Sequence, residues 1–126
     1  MKAFRIPIFM LLVVPILCFF VGSRVAQCSG DWQAQVQQVT DAAAQSDWAE
    51  AERCLLSLDE SWQAQQSWLH MVIEHRELDE TEALLRRCIA LSRQGEGSEL
   101  TAELAELQSQ FELLDEMQRL TLRNIL

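Results

Sequence analysis

Between Asp31 and Gln94 the chain contains neither glycine nor proline, and after Cys28 it contains no lysine. Each shortage excludes something. That span holds no glycine-rich phosphate loop, and nowhere is there a Gly-x-Ser-x-Gly elbow to present a nucleophilic serine. β-Branched residues are sparse and no stretch alternates at period two, so strands are not expected. After Cys28, seven Arg face 19 Asp and Glu, a net charge of −12. A body this acidic repels phosphate backbones, which argues against nucleic acid as a partner. It would also be repelled by anionic lipid head groups, so it is expected to stand off the membrane surface.

Cysteine is scarce too, and the four present suggest no disulfide framework. Cys18 lies in an apolar run and Cys28 just beyond it, while Cys54 and Cys88 sit at helical spacing among apolar residues. In a helical hairpin turning near Glu77, Cys88 would face about residue 66, too far from Cys54 to bridge at a rise of ~1.5 Å per residue. Two unpaired core thiols are expected.

The chain does have one long hydrophobic run. Lys2 and Arg5 precede an uncharged segment from Ile6 to Gly22. Its length suits a short membrane span, and the positive-inside rule leaves the N-terminus cytoplasmic and the acidic body outside. A signal anchor is therefore expected at residues 6–22, making the protein a single-pass protein of the cell membrane. Cleavage after Ser23, releasing a secreted body, is the alternative. Lipidation at Cys28 is disfavoured because Gln27 is not a small residue.

The body reads as helical throughout, being rich in Ala, Leu, Glu, Gln and Arg. Trp48, Ala51, Leu55, Leu58, Trp62, Leu69 and Val72 advance in steps of three, four or seven, the stripe of a helix packed on a partner. Capping signals set its limits. Gly30-Asp31 can open a first helix, Asp47-x-x-Glu50 a second and Asp79-x-x-Glu82 a third; Gly95-Glu96-Gly97 is a C-cap and loop, and Ser98 caps a fourth. The expected organisation is a signal anchor and juxtamembrane segment over 1–28, then an all-α domain over 29–126. Its helices span about 31–45, 48–75, 79–93 and 98–124 as an antiparallel four-helix bundle. Ser57-Leu58-Asp59-Glu60 also fits a capping box. A break near Asp59 would give the alternative, a tetratricopeptide-like stack of five helices. DWAEAERCL is similar to the second helix of such a repeat, but no copy follows at a period of about 34 residues.

Candidate chemistry concentrates in HMVIEHRE. His70 and Glu74, four apart, share a face of a continuous helix, and His75 adds a third donor, so these three define a remote metal-enzyme alternative. By the heptad, His70 and Glu74 point away from the seam, which makes solvated surface the plainer expectation. No catalytic, cofactor-binding or metal-binding residue is assigned. Trp68 lies at the seam's edge, and His75, one heptad on, is placed to pack on its indole. Together with Glu77 they form the candidate interaction edge.

The N-terminal apolar segment, the run Trp62…Trp68…His75-Arg76-Glu77-Leu78 and the closing LTLRNIL with Asn124 carry a resemblance. The chain resembles the short, signal-anchored helical proteins of Gram-positive bacteria catalogued as domain of unknown function 4363. The resemblance implies an envelope-associated, all-helical protein with no assigned catalytic residues. The expected function is then a non-enzymatic, membrane-anchored protein that binds another envelope or membrane protein, with self-association open to its long stripes and a tetratricopeptide-like peptide-binding module as the alternative.

Overall fold

The structure, a computed structural model, describes residues 2–125, with side chains at 5–71, 73–120 and 123. Five helices follow one another: α1 Lys2–Ala44, α2 Trp48–Ala64, α3 Gln66–Val72, α4 His75–Gln94 and α5 Gly97–Ile125. No strand occurs among the described residues. α1, α2, α4 and α5 form a ring in which each packs on its two neighbours, α1 with α5 most extensively. Contacts between side chains far apart in sequence fix the directions. Arg24 meets Gln65 and Trp32 meets Ser61 across α1 and α2; Gln63 meets Glu82 and Arg93 meets Glu52 across α2 and α4; Arg87 meets Glu103 across α4 and α5. Numbers rise on one helix as they fall on the next, so neighbours are antiparallel. The chain is an all-α, antiparallel four-helix bundle whose first helix extends well beyond it. Five helices are present, but the short α3 closes one end of the ring and does not add a layer to a stack.

The first helix differs from the expected pair. The Gly30-Asp31 start is overridden, and one helix of 43 residues joins the apolar segment to the bundle. At a rise of 1.5 Å per residue it is about 65 Å long. The buried stripe explains the continuity: Gly22, Val25, Ser29, Trp32, Val36 and Val39 alternate steps of three and four straight through residue 30. Ser29 does not cap a helix; its hydroxyl donates to the Phe111 carbonyl of α5 at 2.8 Å. Pro7 and Pro15 lie in the apolar half.

α2 runs intact through Asp59. A side-chain cap there contributes about 1 kcal/mol, less than burying Leu58 and Trp62, both fully enclosed. The chain does break, at Gln65 and again at Ile73-Glu74, where both residues are extended. No glycine or proline marks either place. The adjacent β-branched pair Val72-Ile73 weakens the helix locally, and burial of Leu69 and Ile73 turns the chain across the bundle end instead of along it. Consequently α4 begins at His75, one turn before the expected Asp79 cap. Asp79–Glu82 are interior to it, with Thr81 buried and its hydroxyl donating to the Glu77 carbonyl.

Two caps follow the sequence signals. Asp47 accepts from the Glu50 amide at 3.3 Å, after Ser46 makes a left-handed turn at φ +57°. Gly95, at φ +69°, ends α4, and the Glu96 amide reaches back to the Leu91 carbonyl at 3.2 Å. The Trp48 indole packs on this turn, 3.2 Å from where a Cβ on Gly97 would lie.

The core is aromatic at its centre. Trp32, Trp62 and Phe111 meet with centroids 5.1, 5.3 and 6.1 Å apart. Trp32 donates its indole N–H to Ser61 at 3.1 Å, while Trp62 Nε1 is buried without a hydrogen-bond partner among the described residues. Of the expected seam, Ala51, Leu55, Leu58, Trp62 and Leu69 are fully buried and Trp48 half-buried; the side chain of Val72 lies outside the described residues. α4 and α5 likewise enclose Leu84, Leu85, Cys88, Leu100, Leu104, Leu107, Phe111 and Leu114.

Candidate functional site

The three edge residues fall on two helices and meet different partners. Trp68, on α3, is half-buried. The guanidinium of Arg24 lies 5.5 Å from its ring centroid, and Gln65 Oε1 accepts from both the Trp68 indole N–H and Arg24 Nη2. Arg24 is 44 positions earlier in sequence, so local spacing could not signal this contact; only the fold brings α1 beside α3. Glu77, in the first turn of α4, is half-buried, and its carboxylate and carbonyl both accept from the Gln110 amide, at 2.9 and 3.3 Å. This bond ties the start of α4 to α5 and buries Gln110.

His75 is exposed, and the ring it meets is that of His70, with Nδ1 atoms 2.9 Å apart and centroids 4.8 Å apart. The sequence paired His70 with Glu74 on one helical face. The break at Ile73-Glu74 removes that face and brings the two imidazoles together instead. At this separation one Nδ1–H donates to the other Nδ1, so one ring is held as the donor and the other as the acceptor. Among the described residues no three His, Cys, Asp or Glu side chains converge in a way that would hold a metal ion. Asn124 and most of the closing LTLRNIL lie outside the described side chains; Leu120 and Arg123 within it are both exposed.

The thiols are all unpaired. Burial pushes the Cys88 thiol up to about 12, with the Glu103 carboxylate adding to the rise. Cys54 is raised by burial and by its neighbour Glu50, and Cys28 is raised mainly by burial. A thiol held protonated is a poor nucleophile, and the environments of all three favour the protonated form. Glu50 itself is pulled down to about 2 by its hydrogen bond with Arg53.

The surface hollows are open and shallow. One of about 540 Å³ runs along α5 past Ala105, Ser109, Leu113 and three glutamates; another of about 280 Å³ lies at the α1–α2 turn beside Asp47, Glu50 and Cys54. In the second the Cys54 thiol donates to the Glu50 carboxylate at 3.5 Å, but Arg53 holds that carboxylate as a weak base and the thiol stays protonated. From Arg5 onward, α1 is long and apolar enough to cross a membrane, and it leaves Phe9, Leu11 and Phe19 about 70% exposed.

Comparison with known proteins adds one match. The family model described as Domain of unknown function (DUF4363) matches residues 19–125, which takes in the last four residues of the apolar segment and the bundle. No curated protein and no solved structure matches the chain.

Proposed function

We propose that this chain, which belongs to the DUF4363 family, is a non-enzymatic membrane-anchored protein of the cell envelope that binds another envelope or membrane protein outside the membrane. The observation that carries the reading is the unbroken α1, which makes the bundle a rigid extension of an apolar helix exposed along its length. A single helix shared by span and body suits a fixed platform better than a body on a flexible tether. The charge distribution supports the orientation: Lys2 and Arg5 flank the segment on one side and the acids lie on the other.

The same-chain contacts suggest where a partner would dock. Trp68 and Glu77 are held in place by Arg24, Gln65 and Gln110, while His75, paired with His70, is the exposed member of the edge. A tetratricopeptide-like peptide groove draws no support from the aromatic residues, since Trp32 and Trp62 are enclosed in the core. The test is a photo-crosslinking side chain at position 75 in the full chain in native membranes, with position 53 as control. A reproducible protein adduct at 75 and not at 53 is expected; its absence overturns the reading. Protease added to intact cells should digest the bundle, and full protection would reverse the orientation.

A further inference from the structure

Cut at one level, the stretches that reach farthest toward the end of the bundle where α1 emerges are residues 2–23, 66–73 and 117–125. None of them contains an Asp or a Glu. The nearest acids lie just above them, Asp115 and Glu116 on α5 at the level of Arg24 and Glu74 before the start of α4, and the rest are farther toward the opposite end. The placement follows from the helix pairing. Ser29 is opposite Phe111, so the antiparallel α5 brings Arg119 beside about residue 21 and Arg123 beside about residue 17, each helix advancing 1.5 Å per residue. Gln65 is opposite Arg24, so α3 crosses the bundle at about the level where the apolar run stops.

The same end collects the exposed apolar side chains. Outside α1, four large apolar side chains are exposed among the described residues: Leu56 (44%), Met71 (84%), Leu113 (39%) and Leu120 (51%). Three of the four are on α3 or the last part of α5. Arg24, Arg119 and Arg123 are exposed among them, Arg24 lying over Trp68 and Arg119 held by Asp115 at 3.1 Å. Exposed apolar groups, a tryptophan and arginines at one level, next to a membrane-length helix, are the chemistry of a membrane–water interface.

We propose that α3 and the last turns of α5 form a foot that rests on the bilayer surface beside the α1 span. Met71 and Leu120 enter the interface, Arg24 and Arg119 face head-group phosphates, and Arg123, beside about residue 17, extends its side chain up toward them. The inference rests on the anchor reading above, and it reverses the stand-off expected from average charge. The −12 of the body is a sum over the whole molecule, and the lowest stretches of α3 and α5 carry Arg119 and Arg123 and no acid. Because α1 is one helix, the foot is held at a fixed height above the span.

The test uses the full chain in vesicles of phosphatidylcholine and phosphatidylglycerol in roughly equal parts, with and without lipids brominated near the head-group end of the acyl chains. Subtracting the emission of Trp68→Phe from that of the unaltered chain isolates Trp68. This component should lose most of its intensity in brominated vesicles, while the emission of Trp68→Phe, from Trp32, Trp48 and Trp62, changes little. Met71→Glu, altering an exposed side chain, should weaken the quenching without lowering the melting temperature in detergent. An unquenched Trp68 in a chain that floats with the vesicles overturns the foot and leaves the anchor standing. A chain that fails to float overturns both. A photo-crosslinker at position 71 that captures a second copy in place of lipid would also overturn the foot.

Discussion

The continuity of α1 makes a prediction at Gly30. The glycine sits in mid-helix, and a Cβ built on it meets nothing within 4 Å. Replacing it with Ala therefore alters no packing. It removes the extra backbone freedom that glycine has in the unfolded chain, and glycine in a helix interior is less stable than alanine by about 0.5–1 kcal/mol. Gly30→Ala should thus stabilise the bundle by up to ~1 kcal/mol, or about 4–8 °C in melting temperature for a body of this size. The assay is thermal unfolding of the full chain in detergent, followed by far-ultraviolet circular dichroism and tryptophan emission. Two companions sharpen it. Gly95→Ala, at a left-handed φ of +69°, should lose about 1 kcal/mol. Gly30→Pro should lose ~3 kcal/mol by breaking a mid-helix hydrogen bond. Were α1 instead two helices joined at Gly30, alanine there would be neutral or destabilising and proline tolerated. Either result would refute the single-helix account.

Other predictions follow from the core and the helix starts. Phe111→Ala empties the contact shared by Trp32 and Trp62 and should cost about 3–5 kcal/mol, read from the urea midpoint. Glu77→Ala leaves the buried Gln110 amide with only the Glu77 carbonyl and should cost ~1–2 kcal/mol, with faster hydrogen exchange in the first turn of α4. Cys88 sets a basic limit on stability. Its thiol titrates near 12 when folded against 9.0 unfolded, so the folded state holds the proton more tightly. That stabilisation is complete below pH 9 and lost as pH rises from 9 to 12; Cys88→Ala should flatten the fall in melting temperature over that window.

The parts of the fold that were legible in the sequence are those decided locally. Asp47 and Gly95 act within one turn of themselves, and the stripe from Ala51 to Trp62 needs only its spacing to name a buried face. Gln65 and Ile73 carry no local breaker; the chain turns there because Leu69 and Ile73 are buried across the bundle end, a property of the assembled helices. At Gly30 the local signal pointed the wrong way, although the Val25–Ser29–Trp32 spacing already ran through it. The edge residues show the same division. Trp68 and His75 stood out by composition and position, but Arg24 and His70, the groups they touch, become neighbours only once α2 stops short and α3 folds across.

An unjointed α1 also turns bilayer thickness into sideways displacement. The span of residues 5–22 is about 27 Å long, and the bundle half, residues 23–44, continues for about 33 Å in the same helix. Transmembrane helices accommodate mismatch by tilting, on average by about 20°. At that angle the far turn at Ser46 and Trp48 moves about 11 Å from the normal through the point of emergence, since the bundle half of α1 contains no proline to bend it. Lipid composition would then set where the distal end of the bundle points, and so which neighbours in the plane of the membrane it can reach.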